Sequence, residues 1–156
     1  MNLYLLRHGI AGAAEPTESD GERPLTPKGI KRMRRAARGL RRLGISFDVI
    51  LTSPLVRARQ TADIVANALG LEAKLEEIPE LSPASSVDRL ISSLTRFQKR
   101  EHLLLVGHNP LLPDAASFLI AGKKENSFQI DLKKGGLCCI KIEGLPPDTP
   151  GTLHWF

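Results

Sequence analysis

Apolar residues fall into short runs separated by longer stretches in which they recur every three or four positions. The runs at 2–7 (NLYLLR), 47–52 (FDVILT) and 102–107 (HLLLVG) have strand length and near-continuous apolar character, as expected of strands buried on both faces. Between the first two, Ile30, Met33, Ala37, Leu40 and Leu43 make a stripe at helical spacing, which predicts a helix over 27–43. The same reading predicts helices over 54–69, 86–100 and 110–121, and strands over 73–78 and near 128–132, 136–143 and 152–156. Strands alternating with helices predict an α/β fold. The fold is expected to be three-layered, with a mostly parallel central sheet covered by helices on both faces and a hairpin-like region at the C-terminal end. No stretch reads as a linker or a solenoid repeat, so residues 1–156 are expected to form a single domain.

The predicted helix starts share a local grammar. Thr26-Pro27, Ser53-Pro54 and Asn109-Pro110 each place a capping side chain before a proline at the first helical position. The last two follow directly on apolar strands, so they lie at the carboxyl ends of those strands, where open parallel sheets bind ligands. Arg7-His8 ends the first strand and belongs to the same edge. Arg57, one turn into its helix, leans back toward that helix's N-terminus, and His108 precedes Asn109-Pro110. Arg7, His8, Arg57 and His108, with two helix N-termini, make a set suited to phosphate, because a guanidinium fork binds two oxygens at once. Taken singly, each of these residues reads as an ordinary surface or turn feature.

Composition narrows the setting. Apolar residues at 42% and charged residues at 25% mark a folded globular chain. No apolar run approaches the ~20 residues of a bilayer span. The N-terminus lacks the pattern of a signal peptide, and a cytoplasmic protein is expected. Cys138 and Cys139 are adjacent in a predicted strand and point to opposite faces, so they should not pair, and no further sulfur or histidine nearby suggests a metal site. The net charge of +5 is uneven: KGIKRMRRAARGLRR carries eight Lys and Arg between Lys28 and Arg42. A solvated amphipathic helix, a surface for acidic proteins and a nucleic-acid surface are the three readings of that stretch. With one Trp and one Tyr in the chain, stacking platforms are scarce and nucleic acid is the least favoured.

The segments LRHG, SDGERPLTPKG (19–29), SPLVRARQTA (53–62), IPELSP (78–83) and VGHNP (106–110) together resemble the histidine phosphatase superfamily, the RHG or phosphoglycerate mutase-like family, and most closely its SixA-type branch of protein-histidine phosphatases. The resemblance implies attack by His8 on phosphorus, a phosphohistidine intermediate and its hydrolysis. Arg7, Arg57 and His108 would bind the phosphoryl oxygens, with Arg23 a further candidate. It implies no metal and no cofactor. The acid that protonates the leaving oxygen in this family has two candidates, Glu80 in IPELSP and Asp20 in SDGERP, and neither is required by the pattern.

The resemblance further implies a phosphorylated protein, such as a histidine phosphotransfer domain, as partner, with phosphate as product and a role in signal transduction. The alternative is a phosphatase for small phosphomonoesters using the same pocket. Mutase activity is not expected of so short a chain. A module that only binds has no need of a nucleophile.

Overall fold

The computed structural model describes residues 1–13, 19–122 and 129–155. Six strands form one sheet: β1 (Asn2–Arg7), β2 (Val49–Thr52), β3 (Leu75–Glu77), β4 (His102–Gly107), β5 (Leu137–Lys141) and β6 (Thr152–Trp155). Their spatial order is β3-β2-β4-β1-β5-β6. The first four strands in that order run parallel, β5 is antiparallel to β1, and β6 is antiparallel to β5. The expected α/β sheet with a C-terminal hairpin-like region is therefore present.

Strand alternation sorts the core into two layers. Leu3, Leu5, Leu51, Leu103 and Leu105 pack with α3 (Val87–Leu94) and α4 (Leu111–Ala121). Tyr4, Leu6, Ile50, Leu104 and Val106 pack with α1 (Pro27–Arg42) and α2 (Val56–Leu69). Cys138 joins the first layer and Cys139 the second, and both are free thiols, as their adjacency requires. Among the described residues no helix is long and apolar enough to cross a membrane.

Several predicted boundaries move. The strand expected over 73–78 shortens to β3, because Glu72–Lys74 turns as a 3₁₀ segment. The helix over 86–100 ends at Leu94 and tightens into a 3₁₀ turn at Thr95–Phe97. No strand forms at 129–132; residue 128 of that expectation, Phe156 of the last strand and residues 14–18 of the 9–26 loop lie outside the described residues.

The cap-proline grammar holds in full only at Thr26, whose Oγ1 accepts from Gly29 N–H at 3.0 Å. α2 starts two residues later than Pro54 would place it, and Pro110 is itself the cap of α4.

Register sets the geometry of one edge. Arg7 lies opposite Gly107, and Val106 lies opposite both Leu6 and Thr52. The residues that follow these strand ends, His8, His108 and Ser53, therefore emerge at one level from three neighbouring parallel strands.

Candidate active site

His8 and His108 leave adjacent strands and face each other, their ring centroids 5.0 Å apart. They are 6% and 2% exposed, and Arg57 is 4% exposed, an unusual depth for charged or titratable groups. His8 Nδ1 lies 2.7 Å from the carbonyl oxygen of Gly9. A carbonyl only accepts, so Nδ1 carries the hydrogen and Nε2 keeps its lone pair. Gly9 N–H in turn donates to Thr61 Oγ1 at 3.1 Å, and Thr61 Oγ1 donates to the carbonyl of Arg57 at 2.7 Å. One buried hydroxyl thus ties the tip of β1 to the first turn of α2. Gly9 permits this closeness: a Cβ there would stand 2.8 Å from Met33 Cγ.

His108 is oriented by Ser53. Its Nε2 lies 2.9 Å from Ser53 Oγ, which also accepts from Leu55 N–H at 3.3 Å. The hydroxyl can donate its own hydrogen to Nε2 while accepting from Leu55. A neutral His108 then carries its proton on Nδ1. Ser53 Oγ therefore serves both the start of the α2 segment and the imidazole, although α2 itself begins at Val56.

The two arginines share a design. Arg57 donates from its terminal nitrogens to the main-chain oxygen of Asp20 at 2.6 Å and to the Asp20 carboxylate at 2.9 Å. Arg7 donates from one terminal nitrogen to the carbonyl of Leu132 at 2.9 Å. In both, the buried Nε–H has no hydrogen-bond partner among the described residues, and neither has His108 Nδ1. A buried donor left unpaired costs about 1–3 kcal/mol. Arg23 Nε is unpartnered in the same way, and unpaired donors collected on this edge of the sheet suit an oxyanion.

Electrostatics keep the imidazoles neutral. Burial, opposed by the hydrogen bond to Gly9 and reinforced by the charges of Arg57, Arg7 and Lys134, pushes His8 down to about 4. Burial, then His8 and Arg57, push His108 down to about 3. The His8 imidazole thus stays unprotonated in a positive field at neutral pH.

The same shifts predict a stability profile. In the unfolded chain both rings take up protons as the pH falls through about 6.5, while the folded rings resist. The unfolded state then binds more protons, so stability should fall as pH drops from about 6.5 toward 4, by up to a few kcal/mol, and stay level above about 7. Urea midpoints measured at pH 7.5, 6 and 5 check this: His8→Gln should flatten the decline, and a wild-type midpoint that does not move would contradict the burial of a neutral pair.

The remaining sequence candidates divide. Asp20 lies in a 3₁₀ turn (Asp20–Glu22) steadied by Glu22, whose carboxylate accepts from Ser19 Oγ at 2.9 Å. Its own carboxylate bridges Arg57 and Arg23, the latter at 2.6 Å. The Arg57 hydrogen bond holds it below the usual carboxylate range. This arrangement makes the Asp20 carboxylate an anchor for both arginines. Arg23 also donates to the carbonyl of Gly12 at 3.2 Å and reaches the site through Asp20.

Glu80 sits half-buried in the Pro79–Leu81 turn, whose Leu81 carbonyl oxygen would stand 3.3 Å from a Cβ on Gly107. It therefore lies at the correct edge. It faces an open depression shared with Ser82, Asp88 and Arg89, and among the described residues it makes no hydrogen bond or ion pair. His102 and His154 lie elsewhere: His102, at the start of β4, contacts Tyr4 Oη at 3.1 Å, and His154 is exposed in β6.

Comparison with known proteins agrees with this geometry. Residues 3–84 match the model of the histidine phosphatase superfamily (branch 1). The chain belongs to the histidine phosphatase superfamily. Phosphohistidine phosphatase SixA of Escherichia coli K12 is 32% identical over 99% of this chain and 92% of its own length. An uncharacterized protein of Picosynechococcus is 40% identical over 90% of this chain and 85% of its own. The solved structure of the protein histidine phosphatase SixA complexed with tungstate superposes with a TM-score of 0.85 and 26% identity, covering 99% of this chain and 95% of that one. The activity class carried by this family match is that of a phosphatase.

Within the family motif SPLVRARQTA, Arg57 was legible from the sequence, but Ser53, Gln60 and Thr61 were not. Gln60 Oε1 accepts from Leu25 N–H at 2.8 Å and pins the chain just after Arg23. Their placement at strand and helix ends one turn apart was the available signal.

Proposed function

We propose that this phosphatase removes phosphate from phosphohistidine displayed on another protein, through a phosphohistidine formed on its own His8. The observation that carries the reading is His8, with Nδ1 bonded to Gly9 O, on one sheet edge with the buried, unpartnered Nε–H groups of Arg7 and Arg57 and with His108 Nδ1. Nε2 of His8 attacks phosphorus; the P–N bond of the substrate breaks as the new P–N bond forms. The leaving imidazole departs neutral when its distal nitrogen is already protonated. Water then attacks the enzyme's phosphohistidine and releases inorganic phosphate, a two-step route typical of covalent catalysis. Arg7 Nε, Arg57 Nε and His108 Nδ1 donate to the oxygens as charge moves onto them.

The leaving group explains the substrate. An alkoxide needs an acid to leave, whereas neutral imidazole does not. Asp20 is held ionised and Glu80 is unanchored, so the site favours phosphoramidates over alkyl phosphates. Between β3 and β4 the chain has only the Pro79–Leu81 turn, α3 and a short 3₁₀ turn, which supplies no helical lid to enclose a small ester. Similarity to SixA supports the same class.

The test is phosphate release, with EDTA present, from a phosphorylated histidine phosphotransfer domain and from an alkyl phosphate. Release from the protein should exceed that from the ester by ~10²-fold or more in kcat/KM, and Glu80→Gln should change it less than threefold. Faster turnover of the ester, sensitive to Glu80→Gln, would replace this reading with that of a small-molecule phosphomonoesterase.

A further inference from the structure

A groove of about 450 Å³ opens directly beside the nucleophile, where Gly9, Ile10, Arg32, Arg35 and Lys134 are among its walls. Two elements build it. In the 133–136 turn, Gly135 N–H donates to the main-chain oxygens of Arg7 at 3.0 Å and of His8 at 3.1 Å, so Lys134 is held next to the site. α1 is fixed to the other side: Gly29 presses on the loop after the nucleophile so tightly that a Cβ there would stand 2.1 Å from Ile10 O. Only glycine allows that approach. The cationic face of α1 therefore begins at the site and runs away from it.

That face is not explained by the helix itself. Met33, Ala37 and Leu40 are buried and account for its packing. Lys28, Lys31, Arg32, Arg34, Arg35, Arg38, Arg41 and Arg42 are all exposed, and none forms an ion pair with a described residue. The helix contains no acid. Its cations stand repeatedly at i,i+3 and i,i+4, each such pair costing a few tenths of a kcal/mol. Lys28 and Lys31 also oppose the helix dipole at its N-terminal end. At the far end Leu43 is 75% exposed, an apolar contact beside Arg41 and Arg42.

Length decides what this surface fits. Sixteen residues at 1.5 Å span ~24 Å, and Arg41 lies ~9 Å along the axis beyond Arg35. A small anion at His8 comes within the field of Lys134 but leaves the outer half of the helix unused. Nucleic acid would want stacking rings, and α1 has none; Tyr4 is buried in the core.

We propose that the exposed cationic face of α1, with Lys134, is the docking surface for an acidic protein that presents its phosphorylated side chain to His8. Its carboxylates lie along the helix, and an apolar residue meets Leu43. The inference rests on the phosphoprotein reading above and specifies the partner's surface: acidic over about 24 Å on one side of the phosphorylated residue. Complementary charge of this extent acts on encounter rate and orientation, and weakens with salt.

The test uses Arg38→Glu/Arg41→Glu, remote from the chemistry, and Arg32→Glu/Arg35→Glu, close to it. Each variant is checked by circular dichroism. Substrates are a phosphorylated histidine phosphotransfer domain with an acidic face and free phosphohistidine, each at several salt concentrations. The outer variant should lose at least tenfold in kcat/KM on the protein, keep its activity on free phosphohistidine, and lose most of the wild-type salt dependence. Protein turnover unchanged in the outer variant would overturn the proposal, whether or not the inner variant is impaired, since a loss confined to the inner variant indicates a small-anion subsite. Retention of RNA that disappears in the outer variant, with protein turnover intact, would overturn it in favour of nucleic acid. Wild-type enzyme that turns over free phosphohistidine but not the protein refutes the phosphoprotein reading itself, and the docking surface falls with it.

Discussion

His8→Ala should lower kcat on a phosphohistidine protein by roughly 10⁴-fold or more, the scale of removing a covalent nucleophile, while a tetrahedral oxyanion such as tungstate still binds. The two halves of this result separate the nucleophile from its surroundings. In the proposed reaction Nε2 of His8 is the atom that bonds to phosphorus, its lone pair free because Nδ1–H is committed to Gly9 O. The donors that hold the oxygens belong to Arg7, Arg57 and His108 and remain in place when the imidazole is gone. Rapid quench of wild-type enzyme should trap an acid-labile, base-stable phosphoenzyme that the variant lacks, and calorimetry should show oxyanion affinity reduced less than the rate. A rate loss below tenfold would move the nucleophile to another residue, with the facing His108 the first to examine.

Arg57→Ala should cost ~10²-fold or more in kcat/KM, as loss of a donor aimed at developing charge does. Its effect is expected to exceed that of an ordinary buried arginine because two jobs end together. The Nε–H is lost to the oxyanion, and Asp20 loses the partner that fixes its turn. Arg57→Lys restores a positive charge but not the planar fork, so it should recover only part of the rate. Thermal melts run alongside distinguish the roles: a variant that melts several degrees lower with less than a fivefold loss in rate would make Arg57 a loop anchor alone.

The placement of the site was legible from local pattern. β1 and β4 are runs of apolar residues ending in Arg7-His8 and in Gly107-His108, and a parallel α/β sheet puts such ends on one edge. Arg57 followed from its position in the first turn of a helix after β2. Less legible were features set by partners distant in sequence. Ser53 read as a helix cap because a serine before proline ordinarily is one; its second partner, His108, lies 55 residues away. Asp20 read as a candidate acid because SDGERP matches an acidic position of the SixA-type pattern; its ion pairs with Arg57 and Arg23 were not legible. The strand expected near 128–132 carries alternation enough for a strand, yet the chain there is drawn to Arg7 and Asn109, which donate to the Leu132 carbonyl at 2.9 and 3.3 Å.

By itself the sequence determined the order of strands and helices, the two-faced core, the edge at which chemistry collects and the cationic stripe of α1. All of these follow from periodicity and local caps, which act over a few residues. Tertiary structure alone decided which nitrogen of His8 is free, that both histidines are neutral, which arginine nitrogens remain for an oxyanion, and that the α1 stripe starts at the nucleophile. Those properties depend on burial and on hydrogen bonds between segments tens of residues apart, and a titration or a tautomer is set by what surrounds a group, not by its neighbours along the chain.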